Sequence, residues 1–495
     1  MGDNKTVRTF SLILLSGFGF IVNFISAPFL ARSLTLENNG MYHQTILVVD
    51  IFFMIFALGI GNVTYLYLKR TDFSKYEVFW SNLILSFIIG FFASIFLFAL
   101  STIIADYFAA PELKSYLRIY GFILFLKFPL GVTESAVVLY GKVKSFTVQS
   151  LLLTIFKTSL LILIIQLTNN LTFLFIAFTL LGLIHLIISF LLVPNDFFKN
   201  FHWKKSMMSK MLYEGFFIAL NNIFGRATLL MDKAIVSTML VPSQYALYRN
   251  GAIEIPFFSG IYRTVSTIVL PDISRLISMG NIQEVIRLKR KAITNTAFVV
   301  YPVLVFLLFF NERFIILYLS EKYIETVPVF TVFNLTLLIR INSYSDVILC
   351  TGRYKTLIKI TAIGFLTGVV LNIIFIYFFG FIGAAIATLF SIALVNYYYL
   401  ILTSKVLKIP IFAFFDFSFL GKTLLICFFI SLVISFLPLP KTNLFSFLFL
   451  LSIYIPTVYL ILLRFVLKDK TVFFTLLDKF PFKNQYIRKI LSKWS

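Results

Sequence analysis

About fourteen stretches of roughly 20 apolar residues follow one another along this chain, and that pattern restricts what it can fold into more than any other feature. In hydrocarbon no water satisfies backbone N–H and C=O groups, so a segment crosses a bilayer only as a helix or as part of a closed barrel. Runs of this length are helices. They span Phe10–Leu30, Ile46–Leu68, Phe79–Ile104, Leu117–Tyr140, Phe146–Gln166, Leu171–Val193, Tyr213–Met239, Leu247–Leu270, Ile293–Phe310, Val327–Cys350, Leu357–Phe379, Ile382–Leu402, Leu424–Leu437 and Leu444–Leu463. Composition agrees: 60% of the 495 residues are hydrophobic, 13% are charged and the mean hydropathy is +0.95, which excludes a soluble globular protein. Two Cys and three His are too few for a disulfide framework or a thiol or imidazole metal cluster.

The net charge of +22 would suggest nucleic acid in a soluble protein, but the cations lie in short segments between apolar runs, with no arm or domain to hold a duplex. The partner is the lipid bilayer, and no nucleic acid is expected. With the amino terminus inside, the cytoplasmic segments hold about thirty Lys and Arg and the opposite loops about six, so both termini are expected in the cytoplasm. Met1-Gly2-Asp3-Asn4-Lys5-Thr6 fits a myristoylation pattern, which adds little to a chain anchored many times over.

Internal similarity divides the spans. Leu34-Thr35-Leu36-Glu37-Asn38-Asn39-Gly40-Met41-Tyr42 matches Leu240-Val241-Pro242-Ser243-Gln244-Tyr245-Ala246-Leu247-Tyr248 in spacing and at both ends. Tyr140-Gly141-Lys142-Val143-Lys144-Ser145 likewise corresponds to Thr351-Gly352-Arg353-Tyr354-Lys355-Thr356. Spans one to six therefore repeat as seven to twelve, in the same orientation, about an axis along the membrane normal. The expected organisation is an N-lobe over residues 1–194, a cytoplasmic linker over 195–212, a C-lobe over 213–404, two further helices over 405–467 and a basic cytoplasmic tail over 468–495.

These residues resemble a known family. Phe29-Leu30-Ala31-Arg32-Ser33-Leu34 through Gly40-Met41-Tyr42 is similar to the first-loop signature of the polysaccharide transporters in the multidrug/oligosaccharidyl-lipid/polysaccharide (MOP) exporter superfamily. Asp232-Lys233, Leu270-Pro271-Asp272-Ile273-Ser274 and Gly380-Phe381-Ile382-Gly383-Ala384-Ala385-Ile386-Ala387-Thr388 resemble its central and later regions, and within it the likeness is to Wzx-type oligosaccharide flippases. The resemblance implies an all-α polytopic fold, two six-helix lobes in a V-shaped MOP/MATE-like arrangement plus two C-terminal helices. It also implies a bacterial plasma membrane protein that moves polyprenyl-pyrophosphate-linked oligosaccharide (an O-antigen, capsule or exopolysaccharide unit) outward by alternating access, alongside other polysaccharide-assembly proteins. A lipid II flippase or a multidrug/cation antiporter of the same fold is the alternative. A membrane polymerase or ligase needs a sizeable outer loop bearing acid and base residues, and the outer loops here are short, so no enzyme is expected.

Charged residues inside the spans mark the expected site, because a cation at the bilayer centre costs about 2.5–3.5 kcal/mol on insertion scales and so faces a bundle interior or a watery cavity. Arg226, Arg263, Arg340, Lys233, Lys127 and Arg249 are the candidates, with Asn222 on the polar face of span seven. In the resembled family the matching helices, with spans one and two, line the cavity, which adds Arg32 and Asn62. Guanidinium and ammonium groups there would bind phosphate oxygens. Glu134 lies seven residues from Lys127, on one face, as a candidate ion pair. Asp232, Glu254, Glu134 and Asp346 are candidates for H+ or Na+ coupling, and no cofactor or metal is expected. Gly421-Lys422-Thr423 lacks the rest of a phosphate loop, and His43, His185 and His202 have no ligand spacing.

Overall fold

The computed structural model of the chain describes residue 22 and residues 24–69, 72–140, 143–254, 258–440 and 442–465. The described residues form helices and turns with no strand, as satisfaction of the backbone in lipid requires. In chain order the helices are α1 (24–33), α2 (Leu36–Phe56), α3 (Ile60–Leu68), α4 (Lys75–Tyr107), α5 (Leu113–Gly121), α6 (Ile123–Leu139), α7 (Val143–Thr168), α8 (Leu171–Leu192), α9 (Asn195–Lys199) and α10 (Lys205–Met239). There follow α11 (Pro242–Gly251), α12 (Phe258–Ser278), α13 (Ile282–Phe309), α14 (Asn311–Tyr318), a 3-10 turn (Glu321–Thr326), α15 (Val327–Ile339), α16 (Asp346–Cys350), α17 (Tyr354–Leu407), α18 (Phe417–Ser435) and α19 (Leu444–Phe465).

Two compact units emerge. The first comprises residues 1–256, 318–333 and 358–395; the second comprises 257–317, 334–357 and 396–495. In the first unit α4, α6 and α8 pack around buried Leu83, Leu97, Leu124, Val132, Leu174 and Phe175, while Phe91, Phe92, Phe96 and Phe98 of α4 stay exposed, as a lipid-facing surface should. α9 is pinned to the base of α4: Lys75 reaches Asp196 at 2.6 Å, Trp80 donates to the Phe197 carbonyl at 2.9 Å, and Phe197 is sealed among Tyr76, Phe79 and Tyr140. The hydrogen bond from Lys75 holds the Asp196 carboxyl below the usual carboxylate range, so this tie weakens only as pH falls through that lowered value.

α2 and α11, the matching helices of the two sequence repeats, lie against each other in this unit. Thr35 caps α2 by accepting from the Asn38 N–H, and Pro242 opens α11, where its missing donor costs nothing. The Asn250 amide donates to Asn39 Oδ1 at 2.9 Å inside the contact. Gly40 makes it possible, since a Cβ there would overlap the Pro242 carbonyl. A hairpin completes the unit: α17 reverses at Gly380 (φ 57°, ψ −143°), which brings Phe375 beside Phe390 and Gly364 against Val395. In the second unit α18 and α19 pack on α13, where the buried Tyr454 hydroxyl donates to the Pro302 carbonyl at 2.9 Å and its ring meets Phe306. The last two helices therefore rest on the ninth span.

Ten helices among the described residues are long and apolar enough to cross a membrane, against the fourteen stretches of the sequence reading. Three expected spans are interrupted: the second at residues 57–59, between α2 and α3; the eighth after Gly251; and the tenth at 340–345, between α15 and α16. The eleventh and twelfth meet without a loop at Gly380, and the thirteenth begins at Phe417 rather than Leu424, with Asp416 accepting from the Phe419 N–H as its cap. Most of Phe10–Leu30, and the tail from residue 468, lie outside the described residues. Replacing Gly40→Val should lower thermal stability in detergent by about 3 kcal/mol, the upper range for overpacking. Gly421→Ala, in a helix with nothing within 4 Å, should leave the unfolding temperature unchanged or raised. Differential scanning fluorimetry reads both.

Candidate functional site

The site begins at the interruption of the second span. Leu58 (φ 41°) and Gly59 (φ 64°) take left-handed backbone conformations, α2 stops, and α3 restarts at Ile60. Such conformations are strained for a leucine, and they mark the place where the chain departs from a simple crossing. Beside the break lies a cavity of about 160 Å³ lined by Phe53, Met54, Ile60, Asn62, Lys127 and Ala219, among others. Ile60, Gly61 and Asn62 are the first residues of α3, so the positive end of that helix forms part of the wall.

Lys127, from the second turn of α6, puts its ammonium 3.4 Å from Asp50 Oδ1 of α2 and 5.5 Å from the centre of the Phe53 ring. Its partner is thus Asp50, not Glu134. Glu134 Oε1 instead stands 3.9 Å from His185 Nε2 of α8. Asp50 also interacts electrostatically with Lys157 and Lys233, and Lys233 with Arg249 and Asp232. Lys157 places its ammonium over the buried Phe178 ring at 4.6 Å. Lys127, Lys157, Lys233 and Arg249 are thus linked electrostatically with Asp50 and Asp232 within the first unit. Their shared surroundings come from helices far apart in the chain.

Asp232 is buried between α10 and α11, accepting from the Tyr248 hydroxyl at 2.6 Å and from the Lys233 N–H at 2.8 Å. Arg32 is exposed, and its Nε donates to the Leu319 carbonyl; Lys322 donates to the Arg32 and Leu34 carbonyls, so the end of α1 is tied to the segment before the 3-10 turn. Glu254 lies in the interruption after α11. Asn222 and Arg226 fall in α10 and Arg263 in α12, but their side chains are outside the described set. In the second unit Arg340 stands at the start of the 340–345 break with its guanidinium 5.8 Å from the Tyr262 ring centre. Asp346 is paired with Lys289 at 3.0 Å. Nothing in the sequence singles out Lys289, because it belongs to the run Arg287-Leu288-Lys289-Arg290-Lys291, which reads as a cytoplasmic loop.

Known folds and families agree with this geometry. The structure is similar to that of the lipid II flippase MurJ in its inward closed conformation, with a TM-score of 0.70 and 19% identity over 93% of this chain and 98% of that one. It is also similar to an inward-facing multidrug resistance MATE family transporter of the MOP superfamily, with a TM-score of 0.59 and 13% identity over 80% and 98%. A MOP superfamily transporter from Pyrococcus furiosus matches with a TM-score of 0.50 and 13% identity over 81% and 95%. No curated protein sequence matches. The multi-pass helical fold is that of the MOP transporters, and the sequence profile of polysaccharide biosynthesis proteins matches residues 29–328, more than half of the chain. The chain belongs to the polysaccharide biosynthesis protein family.

Proposed function

We propose that this protein is a flippase that carries a polyprenyl-pyrophosphate-linked oligosaccharide from the inner to the outer leaflet of the bacterial plasma membrane by alternating access. The observation that supports the reading is an excess of cations in one electrostatically linked group of the first unit: Lys127, which lines the cavity, with Lys157, Lys233 and Arg249, against Asp50 and Asp232. A pyrophosphate diester bears about two negative charges and cannot enter oil unanswered, whereas ammonium and guanidinium groups at a cavity wall bind its oxygens by charge-assisted hydrogen bonds. The polyprenyl tail stays in lipid throughout. Arg226, Arg32 and Asn222 in the first unit, and Arg263 and Arg340 in the second, are further candidates for phosphate binding on their sequence positions. The same excess repels an organic cation, which is the substrate class of the antiporter reading. Transport, not catalysis, is the activity, and other polysaccharide-assembly proteins supply and receive the substrate.

Export of labelled lipid-linked oligosaccharide by protein reconstituted in vesicles tests this. Lys127→Ala, Lys233→Ala or Arg249→Ala should each slow export about ten- to a hundred-fold, the value of one hydrogen bond to a charged group. Lys199→Ala, on the exposed surface of α9, should change nothing. Export that is equal in all four variants, or movement of organic cations alone, would refute the reading.

Energy coupling to H+ or Na+ is assigned to Asp232, Glu134 and Glu254. Asp232 accepts two hydrogen bonds and Glu134 neighbours His185, which supports a role for these carboxylates in proton or sodium exchange. Asp346, also a coupling candidate, is occupied by Lys289. Asp232→Asn and Glu134→Gln should keep substrate binding yet lose acceleration by an imposed ion gradient; acceleration undiminished in both would remove the assignment. Orientation has its own check. In a variant lacking Cys350 and Cys427, Glu112→Cys should react with an impermeant maleimide on intact spheroplasts, and Lys199→Cys only after lysis.

A further inference from the structure

The interruption of the tenth span holds a buried charge that the transport reading does not use. α15 ends at Ile339, α16 begins at Asp346, and residues 340–345 between them are unwound. Lys289 of α13 reaches into this gap. Its ammonium donates to Asn342 Oδ1 at 2.8 Å, to the Ser343 carbonyl at 2.9 Å and to Asp346 Oδ2 at 3.0 Å. An ammonium has three N–H donors, and here three oxygens receive them. The Ser266 hydroxyl of α12 donates to the same Asp346 oxygen at 2.8 Å, and the Ser343 hydroxyl bonds the other. The Lys289 and Asp346 side chains are 4% and 6% exposed. Tyr262, Val265, Val269, Ala292 and Ile341 close the rest of the site around a void of only about 10 Å³.

Side-chain oxygens, a freed main-chain carbonyl and a carboxylate gathered at an unwound stretch of a membrane helix form the donor set that membrane proteins use for a small monovalent cation. Ammonium and potassium ions are close in size and prefer similar oxygen distances, while sodium is smaller. We propose that Lys289 is a tethered cation: its ammonium occupies a monovalent-cation site built by Asn342, Ser343, Asp346 and Ser266, and the same site takes a free potassium or ammonium ion when the tether is cut. Tethering keeps the site filled at any ion concentration, because the bound group is part of the chain. The break then holds its shape with no ion to dissociate. It also accounts for a lysine buried in the middle of a run of exposed cations, where burial without a full oxygen shell would be costly.

Lys289→Ala tests the proposal by folding alone, so its outcome is independent of the transport reading. Thermal unfolding of the purified variant in micelles is compared in choline, sodium, potassium and ammonium chloride at one ionic strength. The unfolding temperature should fall well below wild type in choline and be partly restored in potassium and ammonium, with sodium less effective. Wild type should give one temperature in all four salts, and Lys289→Ala/Asp346→Asn should lose the cation dependence. A Lys289→Ala protein with equal unfolding temperatures in the four salts, or unfolded in every one of them, overturns the tethered cation and leaves Lys289 an ordinary ion-pair partner.

Discussion

An ionised side chain inside a membrane protein must be answered by an opposite charge, by a shell of oxygens or by water, and the interior here is organised by which answer each one receives. In the second unit the answer is complete. Lys289 spends all three donors on the 340–345 turn, and Asp346 is bonded by two hydroxyls as well as the ammonium. In the first unit Lys127, Lys157, Lys233 and Arg249 are grouped with Asp50 and Asp232, and Lys127 lines a cavity. The first arrangement fixes a shape, and on the proposed function the second receives an anion.

Helix interruptions sit where the charges are, and the reason is the same. A continuous helix consumes its own backbone groups, whereas a break releases carbonyls and N–H groups to be used elsewhere. The stop at Ala57 exposes the beginning of α3 to the cavity that Lys127 lines, and the stop at Ile339 frees the Ser343 carbonyl for Lys289. The reversal at Gly380 is of another kind. Its flanks are Phe379 and Phe381, with no ionisable residue beside it, and it serves to fold α17 into two antiparallel arms.

Much of this was legible in the sequence because hydrocarbon imposes a strict length and a strict backbone pattern. The apolar runs mark the helices, whereas the packing of α2 against α11 around Gly40 is a contact that no sequence repeat specifies. Partners across the bundle were not legible. Lys127 and Glu134 share a helix face, yet each finds a neighbour on a different helix, Asp50 at a separation of 77 residues and His185 on α8. Lys289 was hidden by its neighbours: Arg287, Arg290 and Lys291 give the whole run the look of a solvated loop, and only the approach of the 340–345 turn removes the middle residue from water. Helix breaks were equally silent, since Ala57-Leu58-Gly59 and Arg340-Ile341-Asn342 lie within apolar surroundings that read as uninterrupted spans.

The balance of charge in the first unit follows from what an empty cavity can tolerate. Two like charges 4 Å apart repel by about 4 kcal/mol at an effective dielectric of 20, so four cations with no carboxylate among them would force the walls apart or give up their protons. Asp50 and Asp232 lie among these cations and ease that repulsion. On the proposed transport function the cations receive a pyrophosphate diester in low dielectric, while the carboxylates keep the headgroup from being held too tightly to release.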